Sequence, residues 1–292
     1  MRGSGLLLVA GCAAGAGSPD DTDTDTLDVQ CPAPGAPEVV VDGLVGGSEG
    51  VAVAPDGAAF VVAADRLVEI TPEGGVTDVA PVRGGVGAVW WRDAVWVATG
   101  KDASGADAPA LVEVSRAGEV TRHPLQTLGR PNFLAPTPWG TLLVSDDFDT
   151  RIAEWRDGAD TIWAEEVPSP NGMGFSADGR ALFVASTFGD EALRAIAVEG
   201  EVAGALSLLA PFPDLSAPDG LVVAADGSVL VALNLTGEIH RWDGDRAERV
   251  AEGLPFVASL AFGPAPWDPC SVLATSLFGE EVWSVPVGVA GP

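Results

Sequence analysis

The chain repeats itself. Gly50-Val51-Ala52-Val53-Ala54-Pro55-Asp56-Gly57 leads into AAFVVAA, GMGFSADG from Gly172 leads into RALFVAST, and GLVVAADG from Gly220 leads into SVLVALN. Each copy is an apolar run, an Asp-Gly pair and a second apolar run, followed by more polar segments such as GEIHRWDGD. Three worn copies begin at Gly87 (GAVWWRDAVWVATG), Phe133 (FLAPTPWGTLLVSD) and Ser259 (SLAFGPAPWDPCSVLATS). Equivalent positions thus fall at 50, 87, 133, 172, 220 and 259, with spacings of 37, 46, 39, 48 and 39 residues. Short apolar runs bounded by Gly, Pro and Asp, with no sustained helical period, mean strands. An Asp-Gly pair between two of them, such as Asp226-Gly227, reads as a type I′ hairpin turn. Six units of about 40 residues, each with room for roughly four short strands, predict an all-β fold, a six-bladed β-propeller around a central channel. Blades cover one another's faces, so residues 37–292 are one domain. Glu38-Val39-Val40-Val41, ahead of the first repeat, is expected to supply the outer strand of the last blade and close the ring.

Ahead of the repeats the composition changes. MRGSGLLLVAGC ends in Val9-Ala10-Gly11-Cys12, which resembles the lipobox of bacterial lipoproteins. Residues 1–11 would then be a signal peptide, although Leu6 to Ala10 is shorter than the ~7–15 apolar residues of an ordinary one. Cys12 would carry lipid, and the protein would be exported and anchored to the cell envelope. Residues 12–36, small and acidic in their first part, are expected to be a flexible tether. Asp21, Asp23 and Asp25 mimic the start of an EF-hand loop, but Thr26 stands where Gly is required and no Glu closes the loop. With Cys12 lipidated, Cys31 and Cys270 remain. They can form a disulfide that locks the ring at its seam, or stand as two separate buried thiols.

A formal charge of −27, from 42 acidic and 15 basic residues, argues against nucleic acid as a partner. No apolar run approaches the ~18 residues of a membrane-spanning helix, so membrane contact is expected only through the lipid anchor.

The residues just before the six equivalent positions are Glu49, Val86, Asn132, Asn171, Asp219 and Ala258. In a propeller one column of the repeat lies at one height around the channel. Glu49, Asn132, Asn171 and Asp219 should therefore converge on one mouth. Two carboxylates and two amides gathered there call for a cation, and oxygen ligands alone select a hard one such as Ca²⁺. The second strand of each blade returns to the same mouth, so Asp146, Ser186, Asn234 and Ser276 are candidates for its rim. The only histidines, His123 and His240, fall in the outer, polar part of their repeats and read as surface or structural. Gly46-Gly47-Ser48-Glu49-Gly50 spells the G-x-S-x-G nucleophile elbow, but a strand follows where the elbow requires a helix.

Glu49-Gly50, Arg130-Pro131-Asn132, Pro170-Asn171-Gly172 and Pro218-Asp219-Gly220 together resemble the motifs of the senescence marker protein, gluconolactonase and luciferin-regenerating enzyme family, more distantly the paraoxonases. The closing SLAFG…LATSLFGEEVWSVPVGVAG is similar to that family's last blade. The resemblance implies a metal held by Glu49, Asn171 and Asp219, with Asn132 completing the shell or touching substrate and Arg130 binding substrate. It also implies hydrolysis of small-molecule lactones or related esters; in the mechanism expected here the protein is a monomer and Asp219 is the catalytic residue that takes the proton from water. Phe133 after Asn132, where the family often has Asp, and Ser186-Thr187, where Asp-Ser is common, bear on the substrate more than on the metal. The competing function is a non-catalytic propeller whose cation is structural and whose mouth binds a ligand or partner. A redox propeller carrying a quinone has no specific support.

Overall fold

The computed structural model describes residues 29–100 and 108–292. The expected signal peptide, Cys12 and most of the tether lie outside them.

The described residues form six four-stranded antiparallel sheets and no helix. Blades 1 to 5 are consecutive in sequence, spanning residues 48–81, 85–124, 131–164, 170–211 and 218–252. Blade 6 takes three strands from residues 257–286 and its outermost strand from Glu38–Val41. That strand pairs antiparallel with Val282–Pro286, placing Glu38 opposite Ser284 and Val39 opposite Trp283. The ring therefore closes as expected, and a disulfide joins Cys31 to Cys270 in the same blade. The described end of the tether region is pinned there too, because Gly35 N–H donates to the Pro286 carbonyl at 3.1 Å.

The hairpins form by a different turn from the one the Asp-Gly pairs suggested. A type I′ turn needs positive φ at both residues. Here only the glycines adopt it, Gly57 at +88°, Gly179 at +68° and Gly227 at +82°. Each aspartate instead accepts the N–H two residues on, Asp56 from Ala58 at 3.2 Å, Asp178 from Arg180 at 3.0 Å and Asp226 from Ser228 at 2.9 Å. The carboxylate thus braces an ordinary turn and leaves the left-handed step to glycine.

The apolar core is divided among the blade interfaces. Six buried clusters each join residues of two adjacent blades; one packs Trp96 and Leu111 of blade 2 on Leu134, Leu142 and Trp155 of blade 3. Second strands such as Ala59–Ala63 and Val229–Leu233 are buried on both faces, which explains their unbroken apolar runs.

Two features of the inner strands shape the channel. First, all six carry a β-bulge at the same place, where three steps on the inner strand match two on its partner: Ser48 to Val51, Gly85 to Ala88, Pro131 to Leu134, Pro170 to Met173, Pro218 to Leu221 and Val257 to Leu260. The column from Glu49 to Ala258 lies inside these bulges, which re-aim side chains. Second, the blades meet here in two ways. Added Cβ atoms on Gly50, Gly87, Gly172 and Gly220 would lie 2.3, 2.4, 2.4 and 2.6 Å from the next blade's backbone carbonyl, so only glycine fits. Blades 3 and 6 have Phe133 and Ser259 instead, and there a hydroxyl spans the gap. Ser145 Oγ accepts from Phe133 N–H at 3.0 Å and donates to the Asn171 carbonyl at 2.9 Å. Thr275 Oγ1 accepts from Ser259 N–H at 3.0 Å and donates to the Glu49 carbonyl.

Candidate functional site

The bulges bring Glu49, Asn171 and Asp219 together at one mouth of the channel, with Asn132 beside them. Asn171 and Asp219 are buried, while Glu49 and Asn132 are half-buried. Val86 and Ala258 complete the column without polar atoms; they stand on blades 2 and 6 either side of Glu49, which faces Asn132, Asn171 and Asp219 across the channel.

The second strands were expected to bring Asp146, Ser186, Asn234 and Ser276 to the rim of this mouth. Only Asn234 reaches the site. Strand register places Asp146, Ser186, Leu233 and Ser276 in one row, opposite Pro131, Pro170, Pro218 and Val257. The counterparts of Asn234 are therefore Asp147, Thr187 and Leu277, one residue later. A one-residue slip turns a side chain to the other face. Asp146 accepts the Gly129 and Arg130 N–H groups at 3.0 and 2.8 Å. Ser186 accepts from Arg194 Nε at 3.1 Å, and Ser276 donates to the Pro255 carbonyl at 2.7 Å. Asp147, buried and hydrogen-bonded by the Asn132 amide, is the group that sequence reading missed. It is the second Asp of SDDFD, and only the bulge register, which the sequence does not display, tells it from Asp146.

Crowding and burial set the electrostatics. Burial, then the charge of Asp147, pushes Asp219 up to about 8, against amide contacts from Asn171 and Asn234. The Asn234 contact is Nδ2 to Asp219 Oδ2 at 3.2 Å. Asp147 is pushed up to about 6 by burial and by Asp146, with Asn132 and Arg130 pulling the other way. Burial first, then the charges of Asp219 and Asp147, hold Glu49 well above the usual carboxylate range.

The fit to a cation rests on Asn171. Thr187 Oγ1 lies 2.7 Å from the Pro218 carbonyl, which can only accept, so the hydroxyl proton goes there. Thr187 must then accept from Asn171, and the contact is to Nδ2 at 3.1 Å. The amide is thereby oriented with its oxygen left over, and that buried oxygen has no hydrogen-bond partner. A bare amide oxygen beside three carboxylates that resist ionisation together is a donor set for a hard divalent cation. Among the described residues no three His, Cys, Asp or Glu side chains are grouped to hold a metal by themselves, so a cation here would need the amide oxygen as well.

Arg130 faces the same mouth, its guanidinium 4.6 Å from the Phe148 ring centroid. Ser48 is buried on a strand and exchanges hydrogen bonds with the Ser276 backbone, at 3.4 Å as donor and 3.2 Å as acceptor; it is no nucleophile. His123 and His240 pair with Glu113 and Glu238, each at 3.0 Å, away from the mouth.

The family described as the SMP-30/Gluconolactonase/LRE-like region matches residues 47–268. The chain belongs to that family. The SMP-30/gluconolactonase match contains the whole column from Glu49 to Ala258 and leaves the ring-closing strand and both bridged cysteines outside. Among solved structures, a gluconolactonase from Xanthomonas campestris is 17% identical with a TM-score of 0.73, covering 88% of this chain and 95% of its own. A luciferin-regenerating enzyme is 15% identical, TM-score 0.71, covering 88% and 98%. Regucalcin from Agrobacterium tumefaciens, described as a calcium-binding protein, is 18% identical, TM-score 0.69, covering 90% and 97%. At these identities the likeness carries the fold. No curated protein matches the chain.

Proposed function

We propose that the protein is a divalent-cation-dependent hydrolase of lactones or related esters. The observation that carries this reading is the oriented, partnerless Asn171 Oδ1 among crowded carboxylates. Glu49, Asn171 and Asp219 are the residues to hold the cation, and their all-oxygen character favours Ca²⁺. When bound, such a cation supplies Lewis-acid polarisation of an acyl oxygen and neutralises developing negative charge. Family membership and the structural likeness to a gluconolactonase support the reaction class.

The chain's own residues divide the remaining work. From sequence, Asp219 was the expected base. Its Oδ2 is held by Asn234, and a carboxylate committed to a cation is a weak proton acceptor. Asp147, itself buried, borders an open pocket of about 510 Å³ lined also by Phe148, Ser169 and Phe188, which offers the approach for water and substrate in this reading. We assign the proton to Asp147 and the cation to Asp219. As water's oxygen bonds to the acyl carbon, Asp147 takes the water proton. The ring C–O bond breaks, and the proton passes to the departing alkoxide, giving a hydroxy acid. Arg130, its backbone fixed by Asp146, orients the substrate from the rim, and Asn132 keeps Asp147 turned into the site.

The test is hydrolysis of a panel of lactones and aryl esters with and without chelator, alongside metal analysis of the purified protein. Activity lost to chelator and restored by Ca²⁺ is the expected result. Bound cation with silence across the panel would return the non-catalytic reading. We also propose export as a lipoprotein anchored through Cys12. The Cys31–Cys270 disulfide supports an oxidising compartment, and Cys12→Ser is expected to release the protein from the membrane fraction.

A further inference from the structure

One residue beyond the row of Asp147, Thr187, Asn234 and Leu277 lies another, made of Phe148, Phe188, Leu235 and Phe278. All four are large, apolar and exposed, at 63%, 47%, 55% and 70%. They stand on four consecutive blades, 3 to 6, at the turn between second and third strands, directly above the polar residues. Phe148 and Phe188 pack with ring centroids 5.4 Å apart, and Phe278 is backed edge-on by Phe256 at 5.2 Å. Blade 1 breaks the series with Asp65. An isolated exposed Phe needs no explanation, but a repeat-encoded row of them at a binding mouth marks a recognition surface.

We infer that this crescent binds an extended apolar arm on the substrate, so that the preferred substrate is a lactone or ester carrying an alkyl, acyl or aryl chain rather than a polyhydroxylated ring. The inference rests on the hydrolase reading above and specifies its substrate. Three observations favour a substrate arm over a lipid surface. Phe148 and Phe188 line the same pocket as Asp147, so an arm lying on them is continuous with the reacting group. Asp65 on blade 1 interrupts the row, so it is an open crescent, along which a single arm can lie. The net charge of −27 opposes approach to anionic headgroups. Arg130, stacked on Phe148, stands at the junction, where a substrate changes from polar ring to apolar chain.

The experiment compares kcat/KM for γ-lactones with unbranched side chains of zero to eight carbons. It is paired with calorimetric titration of the matching lactams, which bind without reacting. For the parent protein both series should strengthen roughly two- to fourfold per methylene, the upper figure corresponding to full transfer of a methylene from water. In Phe148→Ser/Phe188→Ser, both residues being surface-exposed, the ratio of longest to unsubstituted substrate should collapse at least tenfold. Lactones hydrolysed without chain-length dependence would overturn the arm and leave the hydrolase standing. Lactams that bind more tightly with length, with no lactone hydrolysed, would keep the arm and remove the hydrolase. If the double variant keeps the chain-length ratio but no longer sediments with phosphatidylcholine vesicles, the crescent belongs to a lipid surface and the inference falls.

Discussion

Asp219 and Asp147 are the two carboxylates whose exchange for amides separates holding a cation from moving a proton. Asp219→Asn is expected to lose both bound cation and activity. Asp147→Asn should retain the cation and lose about 10²–10⁴ in kcat, the usual weight of a general base. Elemental analysis beside kinetics distinguishes them, and loss of cation in both variants would withdraw the division of roles. The same groups make a pH prediction. In the cation-free fold Asp219, Asp147 and Glu49 all titrate above their unfolded values. Between about pH 4 and pH 8 the folded state thus binds more protons than the unfolded one, and stability falls as pH rises. Carboxylates with lowered values, such as Asp56 beside Arg116, act below that window. Melting of chelated protein should therefore drop from pH 5 to pH 8.5, and added Ca²⁺ should flatten the trend. A flat profile in chelator would mean that burial and mutual repulsion do not raise the three groups as drawn.

At the scale of the strand, the bulge and the glycine after it form the device that aims the column. Gly172→Ala would place a Cβ 2.4 Å from the Asp219 carbonyl oxygen, pushing blade 5 outward at a cost of ~1–3 kcal/mol and disturbing the cation site. Ser145→Ala removes the bridge between Phe133 N–H and the Asn171 carbonyl, leaving both short of a partner at ~1–3 kcal/mol. Urea unfolding of the two variants measures these costs; neutral effects would show that the blades close without these contacts. This scale also decides how much was legible in the sequence. Glu49, Asn171 and Asp219 could be found because the repeat fixes their column. Asp147 could not, because facing depends on register to the single residue and each inner strand hides an extra one. The Asp-Gly turns misled for a related reason: an aspartate that braces a turn with its carboxylate looks, in sequence, like one that adopts positive φ. The apolar crescent escaped notice since exposure is not written in an alternating apolar pattern.

For the whole molecule, ring closure is the stability question. Four strands of blade 6 come from two ends of the described chain, and the disulfide joins residues 239 apart in sequence. Reducing it should cost about 5 kcal/mol in the chain-entropy account, read as a lower urea midpoint, with the cation site still formed because that bridge lies outside it. The two seams at which a hydroxyl takes the place of the close-fitting glycine have a consequence of their own. They fall between blades 3 and 4 and between blades 6 and 1, three blades apart, so a nominally sixfold ring is two arcs of three blades divided along one diameter. Glu49 belongs to one arc, Asn171 and Asp219 to the other. The connection at Glu165-Glu166, exposed at the first seam, is thus the natural place to sever the chain. Cleavage there leaves Cys31 and the ring-closing strand on one fragment and Cys270 on the other, so the fragments stay a single covalent molecule until a reductant parts them.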